Sequence, residues 1–208
     1  DLPSGKMKSR EGTVVDADEM MQEMTDTAEE HTRALGKIEG FTEEEASALY
    51  KTLGMGALKY FLLKVDPKKR MLFDPEESIQ FQGNTGPFIQ YSHARIISII
   101  NKAASMNIEL NEVKLDEISL AETERVGIKL LSEFGAKVEE AGREYSPSVI
   151  AQYVYDVAKE YNRFYAELPI FNESDSELLK FRVIYSKLVA DVIKRGMFLL
   201  GIEVPNQM

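Results

Sequence analysis

GNTGPFIQYSHARIISIINKA, Gly83 to Ala103, sorts its residues by helical period, and that sorting decides the fold class. Gly86 and Pro87 read as a turn followed by a proline suited to the first helical turn. At about 100° per residue, Phe88, Ile89, Ile96, Ile99, Ile100 and Ala103 fall on one stripe. Tyr91, Arg95, Ser98 and Lys102 collect on the flank beside it. A planar aromatic and a guanidinium one turn apart at the border of a core suit a nucleic acid. A solvated flank on a packing helix answers the same pattern, because long amphipathic side chains often cover apolar surface.

The same period runs outward in both directions. Asp16 or Asp18 can cap a helix reaching about Ala34, with Met20, Met21 and Met24 on its apolar face. Thr42 with Glu45 forms a capping box for a helix ending near Gly54, and Gly56 to Val65 reads as a separate short apolar helix stopped by Asp66-Pro67. Residues 66–86 are irregular, with strand-like pieces at Arg70 to Phe73 and Ser78 to Gln82. Beyond the opening stretch, Ser119 with Glu122 makes a second capping box for a helix to about Phe134, and Lys137 to Arg143 reads as another short one. Ser146-Pro147 caps a long helix to about Leu168, with Ile150, Tyr153, Val154, Val157, Tyr161 and Phe164 in its stripe and Tyr165 at the edge. Ser174 starts the last helix. Its Phe181, Tyr185, Leu188, Val189, Val192, Leu199 and Leu200 should bury one side, while Lys180, Lys187 and Lys194 align at heptad spacing on the other. The expectation is a mainly all-α chain, with four helices from about Gly86 onward forming a bundle.

At 208 residues the chain is long enough to bury a substantial core in one large domain or two modest ones. It has no cysteine, which removes disulfides, thiolate metal sites and thiol nucleophiles and fits a reducing, cytoplasmic compartment. The longest apolar runs, Ile96 to Ile100 and Met197 to Ile202, fall far short of the ~20 residues of a membrane span. The formal charge of −10 looks hostile to nucleic acid, but residues 1–50 hold thirteen acidic and five basic side chains, so −8 of it lies there. The remainder is nearly neutral and can carry local basic faces. Asp1 starts without an initiator Met and runs straight into a motif-like segment, so a piece of a longer protein is expected.

Ser4 to Val15, SGKMKSREGTVV, clusters Lys6, Lys8 and Arg10 among small residues, as a mobile basic loop over a polyphosphate would require. A frayed basic terminus answers the same composition. It lacks the glycine spacing of a Walker loop. Two histidines are too few for a metal site or most hydrolytic triads: His31 reads as a surface residue, and His93, on the far side of its helix from Tyr91, as a structural hydrogen-bonding group. The acidic clusters lack EF-hand spacing, so no metal is expected. No self-sufficient active site is visible.

Taken together, the motifs resemble the arginyl-tRNA synthetase family of class I synthetases. KMKSREGTVV is similar to the family's variant of the KMSKS loop, and GMGALKYFLL with NTGPFIQYSHARIISI to the segments leading into its helical, DALR-type anticodon-binding domain. SPSVIAQYVYDVAKEYNRFYAELPI and IKRGMFLLGIEVPNQM resemble that domain's later helices and terminus. The resemblance implies ATP-dependent attachment of arginine to its tRNA through an arginyl-adenylate, with ATP and Mg2+, L-arginine and arginine tRNA as the whole enzyme's ligands. It implies the helical end of a catalytic domain over residues 1–80, and the anticodon-binding bundle over 81–208.

Carried over by position, Lys6, Lys8 and Arg10 meet the ATP phosphates; the second Lys of KMSKS falls at Ser9 here, a departure from the family pattern. Tyr91 and Arg95 match positions at the anticodon stem and loop, Tyr165 a position stacking on the loop, and Met208 one that meets an anticodon base. Lys187 and Lys194 complete the expected tRNA-binding set. The HIGH-type motif and the arginine pocket are absent from these residues, so the isolated chain should be inactive, bind no cofactor and behave as a monomer. The competing reading is a helical protein-interaction module without RNA binding, whose aromatic stripes are core. A nonspecific RNA binder would call for a more basic surface.

Overall fold

The computed structural model describes residues 16–36, 38–110 and 113–208. Within them lie eight α-helices and one short 3-10 turn, with no strand among the described residues. Helix α1 (Ala17–Ala34) is capped by Asp16, whose carboxylate accepts from the Asp18 amide at 2.8 Å. Helix α2 (Glu43–Leu63) opens on the full Thr42/Glu45 capping box: Glu45 accepts from the Thr42 amide at 2.8 Å and Thr42 Oγ1 from the Glu45 amide at 3.2 Å.

Helix α2 runs unbroken through Gly54 and Gly56, where the sequence reading separated two helices. The glycines serve close approach there. A Cβ on Gly54 would stand 2.6 Å from the Met24 carbonyl oxygen of α1, and one on Gly56 would overlap the side-chain amide of Gln90. Both are buried, and tertiary packing outweighs their weak helix propensity.

Arg70 to Phe73 is irregular and the next residues form helix α3 (Pro75–Ser78), so neither expected strand is present. Pro75 at the first turn, with Asp74 Oδ1 accepting from the Glu77 amide at 3.2 Å, favours a helical turn, and the described residues hold no strand to pair with.

Helix α4 (Gly86–Ser105) is capped by Thr85, whose Oγ1 accepts from the Phe88 amide at 3.2 Å. Ile89, Ile96, Ile99 and Ala103 are buried as the stripe required, with Phe88 and Ile100 packed at the edge of the same core.

The 3-10 turn Leu115–Glu117 leads to helix α5 (Glu122–Ser132), then α6 (Phe134–Glu144), α7 (Ser148–Glu167) and α8 (Ser176–Leu199). Among the described residues from Gly86 onward there are thus five α-helices rather than four, because Lys137–Arg143 belongs to a helix as long as α5.

Three helix starts also shift. Helix α5 opens at Ala121, whose amide donates to Glu124 at 2.6 Å, rather than at Ser119. Pro147 takes the N-cap place of α7 with no side-chain capping bond. Asp175, not Ser174, caps α8 by accepting from the Glu177 and Leu178 amides at 2.9 and 3.2 Å.

Two clusters of buried apolar residues result. The smaller joins α1, α2 and the following loop through Met24, Leu49, Leu53, Phe61, Phe73 and Ile79. The larger is built by α4, α7 and α8, and every residue of the expected α7 stripe lies in it. On α8 the buried line is Val183, Ser186, Val189, Ala190, Ile193 and Met197. Leu188 and Leu199, expected inside, are about half exposed, because that line turns them toward solvent. Tyr60 bridges the halves: a residue of α2 within the larger core, its hydroxyl donates to the Ala151 carbonyl of α7 at 2.8 Å.

An ion pair is buried beside this core. Arg182 Nε on α8 donates to Glu124 on α5 at 2.8 Å, and its Nη1 to Glu173 at 2.7 Å and the Pro169 carbonyl at 2.9 Å. Glu124 is also the acceptor that starts α5, so one carboxylate sets a helix terminus and neutralises a buried guanidinium.

Candidate nucleic-acid interface

Helix period places Tyr91 and Arg95 one turn apart, and the packing of α4 on α7 brings Tyr165 to them. The Arg95 guanidinium carbon lies 4.8 Å from the centre of the Tyr91 ring and 5.4 Å from that of Tyr165. A cation held against two rings at such distances is attracted by both quadrupoles. Tyr91 meets Phe81 edge to face at 6.2 Å, extending the aromatic edge into the loop before α4. Tyr165 keeps 42% of its surface exposed, so a ring face or edge remains open to a ligand.

Asn162, one turn before Tyr165 on α7, fixes the arginine. Its Oδ1 accepts from Arg95 Nη1 at 2.6 Å, while its Nδ2 donates to Ser92 Oγ at 2.7 Å and to the Ala158 carbonyl at 2.9 Å. Ser92 Oγ in turn donates to the Phe88 carbonyl at 2.8 Å. The amide orientation follows from these partners, since a carbonyl can only accept. The chain Arg95–Asn162–Ser92 aims the planar guanidinium and leaves further N–H donors on it for acceptors such as phosphate or base edges.

The sequence reading named neither Asn162 nor Phe81. For Asn162 a signal was available: asparagine is a weak helix former inside a long, strongly periodic helix, at the border between stripe and solvent.

The other expected residues divide between places. Lys187 and Lys194 are exposed on α8. Lys194 stands near His93 and on the rim of a separate 780 Å³ groove with Phe134, Val138 and Phe198. His93 is on the opposite side of α4 from Tyr91, so Lys194 does not join the aromatic cluster. Met208 is partly buried and packs on the α1–α2 cluster, as Phe81 does. Lys6, Lys8 and Arg10 lie outside the described residues.

His93 has the structural hydrogen bond expected of it. Nδ1 donates to the Pro205 carbonyl at 2.9 Å, and the residue is 1% exposed. Burial pushes its pKa below the ordinary histidine value and Lys194 adds to that, while the Pro205 carbonyl and Asp191 pull the other way. His31, read as a surface residue, is half-buried and stands 3.3 Å from Glu76. No helix among the described residues is long and apolar enough to cross a membrane.

Residues 89–208 match the family model of the DALR anticodon binding domain. Over its full length the chain is 56% identical to an arginine–tRNA ligase of Amoebophilus asiaticus and 53% identical to one of Bacteroides fragilis, covering 35% of each. It therefore spans about a third of the length of these relatives.

The arginyl-tRNA synthetase of Thermus thermophilus superposes on the whole chain with a TM-score of 0.87 at 28% identity, over 34% of its own length. That of Plasmodium falciparum shares the fold, with a TM-score of 0.80 at 24% identity over 94% of this chain and 34% of its own. These matches give no support to a protein-interaction module. With its match running over all of α4 from Ile89 onward and through α8 to Met208, the chain belongs to the DALR anticodon binding domain family.

Proposed function

We propose that this chain binds the anticodon arm of an arginine tRNA, as part of a protein that joins arginine to that tRNA. The observation that carries the reading is Arg95, fixed by Asn162 between Tyr91 and the half-exposed Tyr165. Single-stranded loop bases are recognised by stacking on aromatic and guanidinium planes and by hydrogen bonds to their edges. Stacking of this kind is worth about 1–3 kcal/mol per base. The relatives' identity as arginine–tRNA ligases supports the choice of tRNA.

In this reading residues 1–80 close a catalytic domain and 81–208 form the anticodon-binding bundle, a division supported by the two apolar clusters. Tyr91, Arg95, Tyr165 and Met208 contact the anticodon arm, and Lys187 and Lys194 contribute long-range attraction. Lys6, Lys8 and Arg10 serve the phosphates of ATP, with Mg2+ and L-arginine held by the rest of a longer enzyme. The chain by itself forms no arginyl-adenylate, acts as a monomer and belongs in the cytoplasm.

The test is competition binding between arginine tRNA and the same tRNA with an altered anticodon loop, at two salt concentrations. The unaltered chain should prefer the first, and Tyr165→Ala should lose the preference. Equal affinity of the unaltered chain for both would remove anticodon reading.

A further inference from the structure

The segment after α8 is held by its backbone. Helix α8 closes on Gly201, in the left-handed region at φ 67°, with the Ile202 amide donating back to the Met197 carbonyl at 2.9 Å. From there three side chains on two other helices reach three alternate carbonyls. Lys59 Nζ of α2 donates to Gly201 O at 2.6 Å, Gln90 Nε2 of α4 to Glu203 O at 2.8 Å, and His93 Nδ1 of α4 to Pro205 O at 2.9 Å. The intervening residues pack inward: Ile202 is buried in the larger core and Val204 lies against it. Pro205 removes a donor and favours an extended Val204. This is the period of two of an extended chain, with side chains standing in for the neighbouring strand.

The donors are themselves fixed. Gln90 is fully buried and its Nε2 also donates to the Thr52 carbonyl at 3.0 Å, in the space that Gly56 leaves by lacking a Cβ. His93 donates from Nδ1, so its proton position is set by the carbonyl it meets. Past Pro205 only three residues remain to Met208, a reach of ~10 Å at most. The anchors therefore limit how far Met208, which packs against the α1–α2 cluster, can lie from Pro205.

We propose that Gln90 and His93, with Lys59, are positioning residues: by gripping the backbone of residues 201–205 they set Met208 in place for the tRNA. The inference rests on the anticodon-binding role proposed above for Met208. It gives α4 two tasks, with Tyr91 and Arg95 on one edge meeting RNA and Gln90 and His93 on another steering the tail.

The experiment is a set of double-mutant cycles on the full chain, reading the dissociation constant for arginine tRNA. Gln90→Met and His93→Phe remove the donors at similar volume; Lys59→Met, at an exposed position, loosens the same segment without opening the core. Each is measured alone and combined with Met208→Ala, and thermal unfolding is recorded beside binding.

A loss of about fivefold in affinity from each anchor variant alone, absent once Met208 is already Ala, is the expected result. Equal losses in both backgrounds, or lowered melting temperature with unchanged affinity, would overturn the positioning role. If Met208→Ala binds like the unaltered chain while Tyr165→Ala does not, this inference falls and the aromatic site stands. If the unaltered chain binds tRNAs with and without the native anticodon loop equally, both fall. Should Gln90→Met or His93→Phe not fold, the Lys59→Met cycle decides alone.

Discussion

Asn162 orients Arg95 with a 2.6 Å hydrogen bond from Nη1, and nothing else in α7 offers the guanidinium so short a contact. Replacing Asn162 with Ala should therefore disturb the site without touching either tyrosine. The Asn162 side chain makes three hydrogen bonds, so we expect a stability loss of about 1–3 kcal/mol, and a fall in arginine-tRNA affinity of about tenfold. Arg95→Lys keeps the charge but not the planar fork, and should lose affinity to a similar degree. Filter binding and urea unfolding on the same samples separate the two effects.

Arg182 and Glu124 should behave as a buried pair, being 5% and 0% exposed at their side chains. Glu124→Ala leaves the buried Arg182 with Glu173 as its remaining carboxylate and frees the Ala121 amide at the N-cap of α5, so a loss of about 1.5–3 kcal/mol, that of a charge-assisted hydrogen bond, is expected. Replacing both partners with apolar residues of similar volume should restore much of that stability. Guanidinium-chloride unfolding of the three proteins tests it, and a single variant as stable as the parent would contradict the burial argument.

The helical elements and their buried stripes were legible in the sequence wherever period and caps agreed. Gly86-Pro87, the α4 and α7 stripes and the Thr42/Glu45 box are examples. The reading failed where a partner decides the outcome. Gly56 looked like a break because nothing local reveals that Gln90 fills the space beside it. Ser119 looked like a cap because Glu122 follows it at capping-box spacing; the helix starts instead at Ala121, on Glu124, which also meets Arg182 far along the chain. At the site, Tyr91 and Arg95 could be paired from spacing alone. Asn162 and the tail anchors are long-range contacts that no periodicity encodes.

Gly54→Ala gives a test of close packing. Helix propensity alone would gain about 1 kcal/mol. The added methyl would meet the backbone carbonyl of Met24, which cannot move as a side-chain end can, so a net loss of about 1–3 kcal/mol is expected. Thermal unfolding reads the sign directly, and a stabilised variant would show that α1 can shift outward freely.

His93 makes stability depend on pH. Its folded pKa lies below the ordinary 6.5, so between those two values the unfolded chain binds more protons than the folded one. Stability should thus be fully present above about pH 7 and decline as pH falls through the ordinary histidine range. The depressed carboxylates Glu45, Glu173 and Glu177 act lower, below their ordinary 4.5. Urea midpoints between pH 7.5 and 5.5 should fall for the parent chain and stay flatter for His93→Phe.

Lys187 is exposed on α8, and the proposed function gives it a role in attracting the tRNA backbone. Changing it to Gln should weaken binding to all tRNAs alike and reduce the salt slope of log affinity by about one. A loss confined to the native anticodon loop would instead place Lys187 at a base.

Helix α4 carries Tyr91 and His93 about 200° apart on one rigid rod. Evolution and protein engineering therefore cannot adjust its two edges separately. A substitution that re-seats the helix to improve the fit of a base at Tyr91 also moves the imidazole that fixes Pro205. Under the proposed function, variants with altered anticodon preference should need compensating changes around Pro205, a position that itself reads no base.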